Sequence, residues 1–153
     1  MERKAIFAGS FNPFTIGHAS IVERSLKLFD RIIIVIGINS HKSSSDAEAR
    51  LIEIKNLYNN EPRVDVLIWN GLMVDLARQH NIGFFVRGLR NSADFEYERN
   101  MADVNRKLAG IETIFFSTLP EHTAISSSLI RELRSYKADI AWMLPSDETS
   151  SDN

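Results

Sequence analysis

The sequence predicts an α/β protein built on a single doubly wound, five-stranded parallel sheet. Short apolar runs alternate with helical patterns in the order βαβαβαβαβα, and right-handed crossovers join parallel strands in chains of this kind. The second run, residues 32–36, is β-branched and apolar on both faces, which is typical of a strand covered by helices on both sides. The 153 residues, 44% hydrophobic and 25% charged, have the length and composition of one globular domain.

Five strands and five helices are predicted. The strands are residues 5–8, 32–36, 64–68, 84–86 and 113–116. The helices are residues 18–29, 45–57, 72–80, 92–108 (starting at Ser92 or Asp94) and 126–133. Ser45-x-x-Glu48 has the form of a capping box, Gly110 ends the fourth helix, and Ser126 caps the fifth. We expect the domain to cover residues 1–145 and to be followed by a disordered polar tail, residues 146–153.

Composition and charge exclude several classes of protein. The 18 basic and 20 acidic side chains give a formal charge of -2, so nothing indicates binding to nucleic acid, and any anion site must be local. The longest apolar block, Ile32 to Ile38, is far short of the ~20 residues that a membrane helix needs. With no cysteine in the chain, we expect a cytoplasmic protein without disulfides or cysteine metal sites.

The first segment with unusual chemistry follows the first strand, where ligands of such sheets bind. Between Gly9 and His18, a glycine permits close backbone approach, Ser10 offers a hydroxyl, and Asn12-Pro13 forces a turn. His18 falls in the first turn of a helix, where free N–H groups and the helix dipole favour an anion. A lone histidine there is more often a cap, but the density of glycine, serine, proline and histidine favours an anion site.

Basic and hydroxyl side chains follow three more of the predicted strands. Lys42 lies in a polar loop after the second strand, and alone it indicates a solvated loop, although its position suits closure over a phosphate. Arg87 and Arg90 flank a glycine after the fourth strand and can face one polyanion. We interpret Asp94 and Glu96 as a charged helix face. Three serines, residues 126–128, open the last helix with hydroxyl and N–H groups, although capping needs only one.

Taken together, these segments resemble a known family. Thr15-x-Gly17-His18 is similar to the (H/T)xGH motif of the nucleotidyltransferase superfamily, and residues 125–131, ISSSLIR, resemble its ISSxxxR motif. Residues 87–98, RGLRNSADFEYE, narrow the resemblance to the bacterial phosphopantetheine adenylyltransferase family, because cytidylyltransferases share the histidine motif but not this segment. The resemblance covers the chain to about Leu144 and implies a Rossmann-like nucleotidyltransferase fold.

The resemblance also implies a reaction and a set of site residues. The implied reaction transfers the adenylyl group of ATP to 4′-phosphopantetheine in coenzyme A synthesis, with Mg²⁺, and gives dephospho-coenzyme A and pyrophosphate; a homohexamer is implied as well. From the chemistry of the residues, we expect His18 and Arg90 to stabilise transition-state charge and Lys42 to bridge both phosphates, which makes these three the candidate catalytic residues. The acceptor would contact Ser10, Lys42, Met73 and Arg87. ATP would contact Ser10, Phe11, His18, Gly88, Leu89, Arg90, Glu98, His122, Thr123, Ala124, Ile125, Ser126, Ser127 and Ser128.

Three positions depart from the family pattern. Asn12 stands where the family usually has Asp, which keeps an acceptor oxygen and loses the charge. Ser10 replaces a frequent Thr and keeps the hydroxyl. His122 occupies a position where Trp is common, so we expect the adenine-side wall to differ.

The chemistry of these residues agrees with phosphoryl transfer. A phosphate monoester has a second pKa of ~6 and is largely dianionic at neutral pH, so the nucleophile needs no strong general base. It needs aligned donors around the developing charge. Mg²⁺ should sit on phosphate oxygens, and no protein metal cluster is expected.

Three alternatives stay open. The first is transfer to another phosphate ester, such as nicotinamide mononucleotide or glycerol phosphate. The second is a non-catalytic nucleotide sensor. Such a protein is expected to lose His18 or Lys42, and both are present in this sequence. The third is an RNA-binding domain, which the net charge disfavours.

Overall fold

A computed structural model describes residues 1–38 and 44–146. Five parallel strands form one sheet in the order β3-β2-β1-β4-β5, which confirms the predicted fold class. The strands are β1 (Lys4–Gly9), β2 (Arg31–Ile38), β3 (Val64–Asn70), β4 (Phe84–Leu89) and β5 (Glu112–Ser117). The helices are α1 (Ile16–Ser25), α2 (Ser44–Leu57), α3 (Met73–Gln79), α4 (Ser92–Ala109) and α5 (Ser127–Ser135). Short 3₁₀ turns occupy Pro120–His122 and Ala141–Met143.

The strand order reverses direction at the centre of the sheet. The chain moves outward from β1 to β3 on one side and from β4 to β5 on the other, and β1 pairs with β4 through Ile6 and Phe85. A reversal of this kind opens a crevice beyond the carboxyl ends of the two central strands. The segments after β1 and β4 therefore meet at one place.

Apolar side chains fill both faces of the sheet. On one face, alternate residues of β1 and β2 pack with α1 and α2 in a buried cluster that includes Phe7, Ile21, Val22, Ile32, Ile34, Ile36 and Ile54. On the other face, a cluster beside α3 includes Ile6, Ile33, Val35, Val74, Leu76, Ala77 and Phe85. Burial of β2 on both faces explains its continuous β-branched sequence. A third cluster packs around α5 and contains Ile130 of that helix, Ile125 before it, and Ile140 and Met143 after it.

Several element boundaries differ from the predicted ones. The first helix ends at Ser25, where the Ser25 backbone oxygen accepts from the N–H groups of both Leu28 and Phe29 in a tight turn. Phe29 is still buried, so its place in the apolar pattern reflects core packing and not helix. The second helix spans Ser44–Leu57. The side chain of Ser45 lies outside the described residues, so the capping box stays a prediction.

The ends of α4 and α5 are set by side-chain caps. Ser92, one of the two predicted start residues, is the first residue of α4. Asn91 caps the helix, with its Oδ1 accepting from the Asp94 N–H at 2.9 Å. Gly110 ends that helix at a φ of 68°, a left-handed conformation that favours glycine, as predicted. Ser126 caps α5, also as predicted. Of the predicted tail, residues 147–153 lie outside the described residues.

No helix in the described ranges has both the length and the apolar character needed to cross a membrane.

Candidate active site

An open cavity of about 320 Å³ lies beyond the carboxyl ends of β1 and β4. Its walls come from the loop between β1 and α1, the end of β4, the start of α4 and the start of α5. These are the segments that the sequence motifs singled out. The cavity is lined by Phe7, Ala8, Gly9, Ser10, Phe11, Thr15, Gly17, His18, Ile21, Arg87, Gly88, Arg90, Asp94, Glu98, Thr118, His122, Ile125, Ser126, Ser127 and Ser128.

The His18 ring is fixed by the start of its own helix. Thr15 caps α1, and its Oγ1 accepts from the His18 backbone N–H at 3.2 Å. In return, the His18 Nδ1 accepts from the Thr15 backbone N–H at 2.9 Å, which completes a capping box with histidine in the place of the usual Glu or Gln. Because Nδ1 is an acceptor, the neutral ring carries its proton on Nε2. Nε2 is therefore the nitrogen that can donate to a ligand.

The surroundings of His18 keep it neutral. Burial, and after it the positive charges of Arg87 and Arg90, lower the pKa of His18 from 6.5 to about 4. The rings of Phe11 and Phe14 lie with their centroids 5.0 and 5.4 Å from the imidazole. At neutral pH this residue thus offers a hydrogen bond and no full positive charge.

Phe11 supports the site from the core. Its side chain is buried, and its backbone has a φ of 48°, in the left-handed region that an L-residue rarely adopts. The ring packs edge-on against Phe7, with centroids 5.1 Å apart. The Phe11 side chain therefore shapes the floor of the cavity and holds the His18 ring.

Arg87 is bound on two sides. Its Nε and Nη2 donate to the two carboxylate oxygens of Glu98 at 3.0 and 2.6 Å, and its Nη1 donates to the Ala8 backbone oxygen at 2.5 Å. These contacts tie β4 to both α4 and β1. The guanidinium is thereby held at the carboxyl ends of the two central strands, β1 and β4.

Arg90 is oriented by Asp94. The Asp94 Oδ2 accepts from the Arg90 backbone N–H at 3.2 Å and from its Nε at 3.4 Å. Asp94 is partly buried and lies on the cavity wall, so our interpretation of it as part of a charged helix face was wrong. Glu96 is exposed and does not line the cavity, in agreement with that interpretation.

The hydroxyl groups of the three serines at the start of α5 form hydrogen bonds with other groups of the protein. The Ser126 Oγ accepts from the Leu129 N–H at 3.1 Å, and the Ser127 Oγ donates to the Pro13 backbone oxygen at 2.8 Å. The Ser128 Oγ accepts from Arg131 at 3.2 Å. The hydroxyls thus hold the α5 start against the loop after β1, and the free N–H groups at the start of this helix remain for an anion.

His122 and Gly17 lie beside each other in the wall of this cavity. A methyl group at Gly17 would lie 3.9 Å from the His122 Cβ and 3.4 Å from the Thr15 Oγ1. Within the described residues, the buried Nδ1 of His122 has no hydrogen-bond partner. The predicted ATP contacts at Leu89, Thr123 and Ala124 do not line the cavity.

A second cavity, of about 380 Å³, lies between α3 and α4. Its wall is mostly apolar and includes Leu72, Met73, Tyr97, Met101, Val104 and Leu108. Ala8, Arg87 and Glu98 line both cavities. Met73 and Arg87, two of the predicted acceptor contacts, therefore lie in this cavity, whereas Ser10 lies in the first; Lys42 lies outside the described residues.

Thr118, Asp94 and the apolar residues of α4 were not predicted as site residues. The one available signal was the short spacing between Arg90 and Asp94. Across the described ranges, no group of three or more His, Asp or Glu side chains is arranged to hold a metal ion.

The parallel sheet with its switch point, and the cavity beyond β1 and β4, agree with the class of nucleotidyltransferases, to which sequence comparison assigns the chain. The family model described as cytidylyltransferase-like matches residues 6–133. In structure, the chain is similar to a proposed nicotinate-nucleotide adenylyltransferase from Vibrio parahaemolyticus, with a TM-score of 0.65, 21% identity and 95% of each chain covered. At that identity the likeness supports the fold alone.

Relatives of higher sequence identity assign the chain to one family within this class. The chain is 52% identical to the phosphopantetheine adenylyltransferase of Bacteroides thetaiotaomicron, covering 94% of this chain and 95% of the relative. It is 49% identical to the enzyme of that name from Porphyromonas gingivalis (92% and 93% covered) and 43% identical to that from Flavobacterium johnsoniae (94% and 95% covered). The chain belongs to the phosphopantetheine adenylyltransferase family.

Proposed function

We propose that this protein transfers the adenylyl group of ATP to 4′-phosphopantetheine, releasing pyrophosphate and dephospho-coenzyme A. One observation carries the proposal: a cavity rich in phosphate-binding groups and a mostly apolar cavity meet at Arg87. This arrangement suits two substrates, a nucleotide and a phosphate ester with a long, weakly polar arm. The names of the relatives point to the same pair of substrates.

The chemical step is an in-line displacement. An oxygen of the acceptor phosphate attacks the α-phosphorus of ATP, a new P–O bond forms, and the bond to the β-phosphate oxygen breaks so that pyrophosphate leaves. No proton has to be removed from the nucleophile, because a phosphate monoester is largely dianionic at neutral pH. The protein supplies alignment and charge stabilisation.

His18 and Arg90 serve the reacting phosphate. The neutral His18 donates from Nε2, because its Nδ1 is occupied by the backbone of Thr15. Arg90, held by Asp94, supplies the positive charge that His18 lacks. Lys42 joins them by closing over both phosphates, a role that rests on its place in the chain after β2.

Arg87 and Met73 serve the acceptor. Arg87 faces both cavities and receives the acceptor phosphate at their junction, with Ser10 on the nucleotide side. Met73 forms the apolar wall beyond it. The pantetheine arm would then lie between α3 and α4.

Magnesium enters as part of the nucleotide substrate. The two carboxylates that line the nucleotide cavity, Asp94 and Glu98, are each paired with an arginine. Phosphate oxygens and water would therefore hold most of the coordination sphere of Mg²⁺. The ion would neutralise charge on the leaving pyrophosphate.

We further propose that the protein works in the cytoplasm as a homo-oligomer, a hexamer by family resemblance. None of the 18 residues of α4 is buried, and Tyr97, Met101, Val104 and Leu108 are exposed on it. A second copy of this chain would cover such a helix. Sedimentation velocity should show a species larger than 17.4 kDa, and a monomer at micromolar concentration would contradict this.

Pyrophosphate release tests the proposed reaction. The assay contains ATP, Mg²⁺ and either 4′-phosphopantetheine or unphosphorylated pantetheine, with nicotinamide mononucleotide as a third acceptor. We expect pyrophosphate release when the acceptor is 4′-phosphopantetheine, and none with pantetheine or nicotinamide mononucleotide. Release only with nicotinamide mononucleotide would assign another acceptor, and release with none would favour a nucleotide sensor.

A further inference from the structure

We infer that Trp69 is a positioning residue for the acceptor, because its indole fixes the turn between β3 and α3 that forms one wall of the second cavity. The inference rests on the proposed function, in which the pantetheine arm occupies that cavity. The described residues that line the cavity include Gly71, Leu72 and Met73 and not Trp69. Trp69 would therefore act on the acceptor through these three neighbours.

The indole of Trp69 binds the backbone of this turn. An indole has one N–H donor and no acceptor, and the Trp69 Nε1 donates to the Leu72 backbone oxygen at 2.9 Å. The same oxygen accepts from the Asp75 N–H at 3.1 Å, in the first turn of α3. Trp69 itself lies near the end of β3 and packs against the buried cluster beside α3. The indole N–H therefore links the end of a strand to the start of the helix that follows it.

Gly71 allows the chain to pass close to the indole. Its φ of 144° lies in a region that favours glycine over residues with a side chain. A methyl group at Gly71 would lie 3.2 Å from the Trp69 Nε1 and 3.6 Å from the Trp69 Cε2. The ring thus covers the backbone of the glycine. The turn is held by this close contact as well as by the hydrogen bond to Leu72.

Leu72 is the wall residue that gains most from such support. It occupies the cap position of α3, where its apolar side chain cannot accept a hydrogen bond from the helix. Leu72 is also 63% exposed, so burial does not fix it. Met73 is packed more closely, because a methyl group at Gly37 would lie 3.1 Å from its Cε. Since the indole orders Leu72 before the acceptor arrives, less conformational entropy is lost when the acceptor binds.

Trp69→Phe tests the inference, with Trp142→Phe as the matched control. Phenylalanine keeps an aromatic ring for packing and lacks the N–H group. We expect the KM for 4′-phosphopantetheine to rise about fivefold, as for the loss of one hydrogen bond between neutral groups. The kcat and the KM for ATP should stay close to the wild-type values. Trp142, the other tryptophan of the chain, is exposed, so Trp142→Phe should match the wild type in all three constants.

The pattern of kinetic constants and a double-mutant cycle identify the route of the effect. Equal rises in the KM of both substrates, or a lower melting temperature with neither KM changed, would overturn the inference and leave Trp69 as a packing residue. In a Leu72→Ala background, Trp69→Phe should have a smaller effect on the acceptor KM, because the side chain that the indole positions is absent. Fully additive effects would show that Trp69 does not act through Leu72, and they would also overturn the inference.

A second variant and the wild type separate this result from other failures. Gly71→Ala pushes a methyl group against the indole, so it should raise the KM for 4′-phosphopantetheine and not the KM for ATP. An unchanged acceptor KM in Gly71→Ala would overturn the inference even if Trp69→Phe does not fold. Failure of the wild type to release pyrophosphate with 4′-phosphopantetheine would refute the proposed function. Release by the wild type, with an unchanged acceptor KM in both variants, would refute the role of Trp69 alone.

Discussion

Arg131 and Asn12 are joined across 119 residues of chain: the Arg131 Nη1 donates to the Asn12 backbone oxygen at 2.6 Å. The neighbouring Ser127 Oγ donates to the Pro13 oxygen at 2.8 Å. The start of α5 therefore holds the loop after β1, which carries Ser10 and leads to His18. Arg131 is the last residue of the ISSxxxR-like motif, and the structure gives it a supporting contact outside the cavity lining.

Arg131→Ala should loosen that loop. We expect a loss of about 1 kcal/mol in the free energy of unfolding, since the exposed guanidinium loses its hydrogen bonds to the Asn12 oxygen and to the Ser128 Oγ. The kcat/KM should fall about tenfold, because the loop that carries the donors is less ordered. Denaturant titration and pyrophosphate release measure the two effects. Arg134→Ala, an exposed change on the same helix, is the control, and an equal loss in both variants would contradict the role of the Asn12 contact.

His18→Gln should separate the two roles of His18. Glutamine at the third position of a capping box can accept from the Thr15 N–H as the imidazole does. We therefore expect the free energy of unfolding to stay within about 0.5 kcal/mol of wild type, whereas kcat falls ~10²–10³-fold with loss of the aligned Nε2 donor. His18→Ala should lose both stability and activity. Wild-type kcat in the glutamine variant would remove His18 from the chemical step.

The lowered pKa of His18 predicts a pH dependence of stability. The unfolded chain takes up a proton near pH 6.5, and the folded protein takes it up only near pH 4. Between these values the unfolded state binds more protons, so the free energy of unfolding falls as the pH drops from 6.5 towards 4, by at most ~1.4 kcal/mol per pH unit. Above pH 6.5 this contribution is constant.

Urea titrations of the wild type and His18→Gln between pH 4.5 and 7.5 test this dependence. The difference between the two stability curves should grow below pH 6.5, in favour of the glutamine variant. Parallel curves would show that His18 does not titrate differently in the folded and unfolded states.

Gly17→Ala should spare the fold and weaken nucleotide binding. The added methyl group would meet only the Thr15 Oγ1, at 3.4 Å, and the His122 Cβ, at 3.9 Å, and alanine favours the helix. The methyl group would also take space on the nucleotide wall. We expect the KM for ATP to rise severalfold with an unchanged or higher melting temperature. Gly83→Ala, where a methyl group meets nothing within 4 Å, is the control, and an equal rise in both variants would contradict the steric explanation.

The sequence predicts the sheet well because burial leaves a simple pattern in it. β2 is covered on both faces, so its β-branched run could be placed from residues 32–36 alone. Helix ends were less predictable, since a buried Phe29 continues the apolar period of α1 through a turn that is not helical. Local periodicity does not distinguish these two origins of an apolar residue.

The site was predicted only in part, because its second cavity depends on long-range packing. The motifs after β1 and β4 could be predicted as site segments from their polar composition and from the topology of a parallel sheet, which brings strand ends together. The apolar cavity forms when Met73 of α3 comes to face Tyr97 and Met101 of α4, and neither helix carries a local signal for that meeting. The pairing of Arg90 with Asp94 likewise requires knowing how the chain leaves β4.

The capping box at Thr15 and His18 bears on how such sequences evolve. One imidazole both begins a helix and lines the cavity in which we propose that the nucleotide binds, so selection for a stable fold and selection for transfer act on the same position. A descendant that kept the nucleotide cavity and lost the reaction would still benefit from the histidine. The presence of this histidine in a related chain therefore indicates the same helix start and does not by itself indicate transferase activity.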